Sequence, residues 1–142
     1  MLVILQFGLL TGLAALAFVR FSPGTMPLGA WLLAAACVML ATWTLIHNRP
    51  GNFNIHPAPK ALGTLVTTGP YHWIRHPMYT AVLLGAAALA WVASTGIAWA
   101  AWFALALVLL LKSTLEERWM CEQHPDYSAY RQTSQRFLPW LF

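Results

Sequence analysis

The chain has 142 residues, of which 59% are hydrophobic and only 8% charged, with a net charge of +4. A soluble domain carries about 25% charged residues, so a soluble enzyme is excluded and a membrane protein is expected. No basic stripe with interleaved aromatics occurs, so the positive balance does not mark nucleic acid as a partner; it fits topology and anionic headgroups.

The apolar residues fall in blocks instead of alternating with polar ones. Barrel strands would show a period of two, so the expected fold is all-α: a polytopic membrane protein with four transmembrane helices. The first block, about 1–19, ends at Arg20 before the Pro/Gly turn "FSPGTMP". Its opening "MLVILQ" lacks a basic n-region and no A-x-A cleavage site follows, so it reads as a mature helix and not as a signal peptide. The second block, about 28–46, is stopped by "HNRPGN". After a polar segment from His47 to Arg75, the apolar run from Met78 to Leu111 is too long for one helix. The stretch "STG" at Ser94–Gly96 divides it into a hairpin, about 77–93 and 97–112. The second arm continues past the bilayer as "KSTLEERWMCEQ". Trp91, Trp99 and Trp102 cluster about the turn, where an interfacial belt is expected.

With four spans, both termini and the segment between the second and third spans share one side. That side holds Arg49, Lys60, Arg75, Lys112, Arg118, Arg131 and Arg136, and the other holds only Arg20. The positive-inside rule puts the crowded side in the cytoplasm, together with every His and with Glu116, Glu117, Glu122 and Asp126. Cys37 falls inside the second span and Cys121 on the cytoplasmic side, so they cannot form a disulfide. The chain reads as one domain over residues 1–142, without repeats.

Three constellations can carry chemistry. In "GPYHWIRHPMYT" (Gly69–Thr80), Pro77 suits the first position of a helix, which leaves Arg75 and His76 at its positive end. A guanidinium with free backbone donors makes an anion site for a carboxylate or phosphate; the alternative is a pair of juxtamembrane residues reaching headgroups. In "EERWMCEQHPDYSAY", Glu116 and Glu117 lie just beyond the apolar run. Neighbours on a helix point about 100° apart, so at most one of them is expected to face a given site. That one can accept from ribose-like hydroxyls; alternatively both are solvated and paired with Lys112 or Arg118. In the tail "DYSAYRQTSQRFLPWLF", Tyr127, Tyr130 and Arg131 fall at helical spacing before Phe137, Leu138, Trp140, Leu141 and Phe142. This cytoplasmic amphipathic segment either caps a site or only anchors on the interface. A metal is not expected: Pro77 breaks helical geometry between His72 and His76, and neither paired Cys nor H-E-x-x-H occurs.

"GPYHWIRHPMY", the "EE" pair, and a Y-x-x-Y stretch with an Arg and a Pro, in that order, resemble the integral-membrane methyltransferases related to isoprenylcysteine carboxyl methyltransferase and the phospholipid N-methyltransferases. Their shared signature is R-H-P-x-Y, a hydrophobic helical stretch, then E-E. The resemblance extends back through "NRPGNFNIHPAPKALGTLVTTGPY" and covers roughly the C-terminal two thirds of the chain. It implies an S-adenosylmethionine-dependent methyltransferase with a cytoplasm-facing cofactor pocket, built from segments at about 67–80 and 113–139. Arg75, His76, Pro77, Tyr79, Glu116 and Glu117 carry over from the signature. With Gly69, Tyr71, Tyr127 and Tyr130 they form the expected cofactor-binding set, and Glu117 and Arg136 are the expected catalytic residues.

The chemistry agrees with that implication. The cofactor's carboxylate suits Arg75 and His76, its ribose suits Glu117, and its sulfonium suits a cation–π contact with Tyr79 or Tyr71, worth roughly 0.5–2 kcal/mol. A carboxylate or thiolate acceptor attacks as it stands, whereas a protonated amine needs a base, a role open to Glu117, His72 or His124. The acceptor is expected to be a lipophilic small molecule or lipid that enters between spans, and the small form resembles bacterial or archaeal members. Oligomeric state is not legible. Two other readings stand beside this one: an NADPH-dependent membrane reductase related to sterol reductases, and a non-enzymatic small membrane subunit.

Overall fold

The computed structural model describes residues 1–22, 24, 26–48 and 65–139. Arg49, Lys60, most of the linking segment from "NRPGN" onward, and Trp140, Leu141 and Phe142 lie outside the described residues. Five α-helices are present and no named strand occurs among the described residues: α1 (Leu2–Arg20), α2 (Leu28–His47), α3 (Pro77–Ala93), α4 (Gly96–Gln123) and α5 (Tyr127–Thr133). A 3₁₀ turn, Gly69–His72, precedes α3.

The helices are apolar on their outer faces as well as their inner ones. Ile4, Phe18, Leu28, Ile46 and Ile97 are each more than 70% exposed. Water does not tolerate such a surface over whole helices, and hydrocarbon does, which argues for a membrane location. α1, α2 and α4 are long and apolar enough to cross a bilayer; α3 is equally apolar but has 17 residues. At about 1.5 Å per residue α3 is roughly 25 Å long, a little short of a typical hydrocarbon core.

α3 is the hub and packs against α1, α2 and α4. Its composition explains this, since Ala81, Ala86, Ala87, Ala88, Ala90 and Ala93 are all buried. Where lipid is as apolar as the side chains, small residues let helix backbones approach and gain dispersion contact. Gly85 faces Cys37 of α2 and Gly29 of α2 faces Trp91, so a methyl group at either would clash. Leu13, Leu105 and Leu109 fill the seam between α1, α3 and α4.

The hairpin turn follows from "STG". Ser94 caps α3 in the left-handed region at φ 51°, and Thr95 Oγ1 accepts from Ala98 N at 3.2 Å to open α4. Of the tryptophans near this turn, Trp91 is 42% exposed, as an interfacial anchor would be. Trp102 turns inward instead and donates Nε1–H to Leu83 O at 2.9 Å. α4 then runs on past the end of its continuous apolar run at Leu111 for three more turns. This extension, together with the start of α3, carries the polar residues.

Gly69 has a structural reason of its own. Its φ is +60°, and a Cβ there would collide with the ring of His47 at the end of α2. Gly69→Ala is therefore expected to cost about 1–3 kcal/mol of stability. Adding His47→Ala should restore the steric part of that loss and leave the backbone part. Unfolding of the single and double variants in detergent measures both; a neutral Gly69→Ala would contradict the close packing.

Candidate functional site

The residues that the resemblance singles out come together where α3 begins and α4 leaves its apolar run. Pro77 is the first residue of α3 and is buried, with His76 as its N-cap. At this position the ring of Pro77 costs no hydrogen bond, because the N–H it lacks would have had no helical partner. Just before it, residues 73–76 lie alongside 134–137 in a short parallel bridge, Ile74 with Gln135. Gln135 N donates to Trp73 O at 2.9 Å, Arg75 N to Gln135 O at 2.7 Å and His76 N to Arg136 O at 3.1 Å. Thr80 Oγ1 donates to Phe137 O at 2.8 Å, and the Tyr130 hydroxyl donates to Tyr71 O. The tail is thus strapped across the mouth of α3. Just ahead of α3, the backbone N–H groups of Arg75 and His76 are thus taken by carbonyls of the tail.

Glu117 is the centre of the site, with 3% of its side chain exposed. Its Oε1 accepts from Arg75 Nε at 2.8 Å, Arg136 Nε at 3.2 Å and His76 Nε2 at 3.3 Å. Its Oε2 accepts from Arg136 Nη2 at 2.9 Å and has Arg131 Nε at 3.6 Å. Arg136 thus grips the carboxylate as a two-pronged fork, the geometry that a planar guanidinium supplies and an ammonium does not. Arg136 also donates to Thr114 Oγ1 at 3.1 Å, and Arg75 Nη1 donates to the carbonyls of Arg131 and Ser134. Burial alone would raise the Glu117 carboxyl; the hydrogen bonds from His76, Arg136 and Arg75 outweigh it and hold the group well below the usual carboxylate range.

Glu116 lies on the other side of His76. His76 Nδ1 is 3.5 Å from Glu116 Oε2 while its Nε2 faces Glu117, so the imidazole bridges the two carboxylates. The expectation that only one of the pair can face the site is therefore corrected: the ring sits in the angle between the two side chains and reaches both. Glu116 also accepts from the Tyr79 hydroxyl. The Tyr79 ring stacks on His76, with centroids 5.4 Å apart and planes 6° apart. Burial pushes the Glu116 carboxyl up, against the pull of Tyr79, His76 and Lys112. Lys112 itself is not a solvated partner of Glu116: it is 3% exposed.

The remaining tyrosines line the edge. Tyr127 is buried at the start of α5 and meets Tyr130 edge to face at 5.7 Å. Burial, aided by the Glu116 charge, pushes Tyr71 up to about 12, and burial does the same to Tyr130. Both remain hydrogen-bond donors at neutral pH and neither is a base. His72 is exposed at the end of the 3₁₀ turn beside Trp73, with ring centroids 5.4 Å apart. His124 caps the end of α4. Among the described residues no group of three or more His, Cys, Asp or Glu is placed to hold a metal.

Between α3 and α4 runs a cleft of about 320 Å³ lined by Leu83, Ala106, Leu107, Leu110 and Phe137. The ring of Phe137 also lies 6.0 Å from His76 and 6.5 Å from Tyr79, which sets this end of the cleft beside the polar cluster.

Three contributors escape a reading of the sequence. Ser134 and Gln135 act through backbone carbonyls, which no side-chain motif announces. Gln6 accepts from Lys112 Nζ at 3.2 Å in the interior; an amide inside an otherwise apolar block is the signal that could have found it.

An apolar helical bundle whose buried charges Lys112 and Glu117 lie beyond the apolar run of α4 is the build of a membrane protein. The chain belongs to the phospholipid methyltransferase family, whose model matches residues 25–126. It is also similar to the cobalt-zinc-cadmium resistance protein CzcN of Cupriavidus metallidurans, 35% identical over 80 residues, which are 55% of this chain and 37% of that protein. The chain therefore spans well under half the length of that relative. No solved structure matches.

Proposed function

We propose that the chain is an S-adenosylmethionine-dependent methyltransferase that acts on a lipophilic acceptor at the membrane surface. The observation that carries this reading is the unequal state of the two adjacent carboxylates. Glu117 accepts four hydrogen bonds from Arg75, Arg136 and His76, three on Oε1 and one on Oε2, with Arg131 Nε a further 3.6 Å from Oε2. Glu116, with 19% of its side chain exposed, has the Tyr79 hydroxyl and the more distant His76 ring, and retains acceptor capacity.

The residues fit the cofactor's chemistry. Arg131, with 46% of its side chain exposed, supplies a cation for its carboxylate. Glu116 supplies an acceptor for hydroxyls and a negative charge for the sulfonium, and the Tyr79 ring offers a π-face to the same cation. Tyr71, Tyr127 and Tyr130 supply aromatic walls for the adenine. When bound, the cofactor supplies an activated methyl group on a positively charged sulfur.

What the chain adds is alignment, exclusion of water and proton transfer. Glu117 serves as the counter-ion that locks Arg75 and Arg136 to the strap, and not as a proton acceptor. Where an acceptor must lose a proton, Glu116 takes it on a carboxylate oxygen. The wholly apolar cleft between α3 and α4 suits the hydrocarbon chain of the acceptor, with its reactive group near His76 and Tyr79. In this reading α3 crosses as well, as the third of four spans, both termini and the site are cytoplasmic, and the membrane is that of a prokaryotic cell.

Calorimetric titration of the detergent-purified protein with S-adenosylhomocysteine tests the reading. Wild type is expected to bind saturably, and Glu116→Gln to weaken binding about tenfold or more, as a lost charge-assisted hydrogen bond of about 1.5–3 kcal/mol implies. A folded wild type that does not bind would remove the proposal.

A further inference from the structure

Among the buried residues of α1, Leu13 and Ala17 are apolar and Gln6 is polar. Gln6 is 8% exposed and its partner Lys112 is 3% exposed. Lys112 Nζ donates to Gln6 Oε1 at 3.2 Å and lies 5.2 Å from the centroid of the Tyr79 ring. The hydroxyl of that same ring donates to Glu116, and Lys112 and Glu116 act on each other electrostatically. A neutral amide alone does not compensate a buried ammonium; a carboxylate does. Lys112 comes one turn before Glu116 on α4, so the two lie on the same face of the helix.

We propose that Lys112 is a positioning residue of the site: held from α1 by Gln6, its ammonium balances the Glu116 carboxylate across the ring of Tyr79. α1 then takes part in the site, although it lies outside the segments that the signature covers. Only the consequence for methyl transfer rests on the function proposed above; the tether itself does not. Glu116 is faced by His76 and Tyr79 from the start of α3, by Tyr71 from the 3₁₀ turn, and by Lys112 and Glu117 from α4. Of these, Lys112 is the group anchored to α1, so it is the one whose removal tests the link.

The test uses the full chain in lipid nanodiscs, with the carboxylic-acid C=O stretch of Glu116 followed by infrared difference spectroscopy and assigned by its loss in Glu116→Gln. Removing a nearby cation disfavours the carboxylate, so in Lys112→Met the titration midpoint is expected to rise by about one pH unit or more. Lys112→Arg should return it close to the wild-type position, and Gln6→Leu should shift it upward by less. A purely packing role would lower the melting temperature of Lys112→Met without moving the midpoint. Coincident midpoints in wild type and Lys112→Met, or no Glu116 band in Lys112→Met, would overturn the proposal. S-adenosylhomocysteine binding by the same wild-type sample separates the two ideas. A shifted midpoint without binding leaves the tether and sinks the methyltransferase reading, and binding without a shift does the reverse.

Discussion

Replacing Glu117 by alanine is expected to destabilise the protein by about 3–5 kcal/mol, because it strips the shared counter-ion from partly buried guanidiniums. The Arg75 side chain is 10% exposed and that of Arg136 is 18% exposed, so water cannot take over the lost contacts where they stand. Glu117→Gln keeps the shape but loses the charge, and should fall between wild type and alanine. Glu122→Ala, at an exposed position on the same helix, should lie within about 0.5 kcal/mol of wild type. Reversible unfolding in mixed detergent micelles gives all three values. A Glu117→Ala protein as stable as wild type would mean that the cations do not depend on this carboxylate. The pH dependence has a definite sign. Because the folded carboxyl is held below its ordinary range, its contribution is present above the unfolded value of about 4.3 and is lost only as the pH falls towards the folded one. Mild acidification to about pH 5 should leave the cluster closed.

The second large effect is expected from a chain that stops after Thr133. It retains α1 to α5 but loses the carbonyls of Ser134, Gln135, Arg136 and Phe137 and the fork of Arg136. Far-UV circular dichroism should show the helices intact, while calorimetry with S-adenosylhomocysteine should show no saturable heat. Arg136→Lys should lie between the two, since an ammonium keeps the charge and gives up the two-pronged geometry. Undiminished binding by the truncated chain would show that the strap is not part of the site.

The helices were legible in the sequence because each boundary has a local cause. Pro77 opens α3, and Ser94 and Thr95 cap the two arms of the hairpin. The meeting of Arg75, His76 and Tyr79 with Glu116 and Glu117 was legible only as an ordered set of residues, through the resemblance. What stayed hidden depends on long-range geometry. The pairing of Gln135 and Arg136 with Arg75 and His76 uses backbone groups, which every residue carries. The Gln6–Lys112 bond depends on how α1 and α4 are rotated about their axes. Neither helix has a polar face broad enough to reveal that rotation. The bridging of both carboxylates by His76 was missed because the 100° rule fixes where side chains start and not where a ring between them can reach.

The short parallel pairing of residues 73–76 with 134–137 also bears on biogenesis. Synthesis runs from the N-terminus, so Arg75 enters the membrane-insertion machinery before Glu117 and Arg136 have been made. At that moment it is an uncompensated cation flanking α3, free to act as a topological signal. Later the same guanidinium is neutralised and covered by the strap. The cluster therefore closes only after the tail that carries Arg136 has been synthesised.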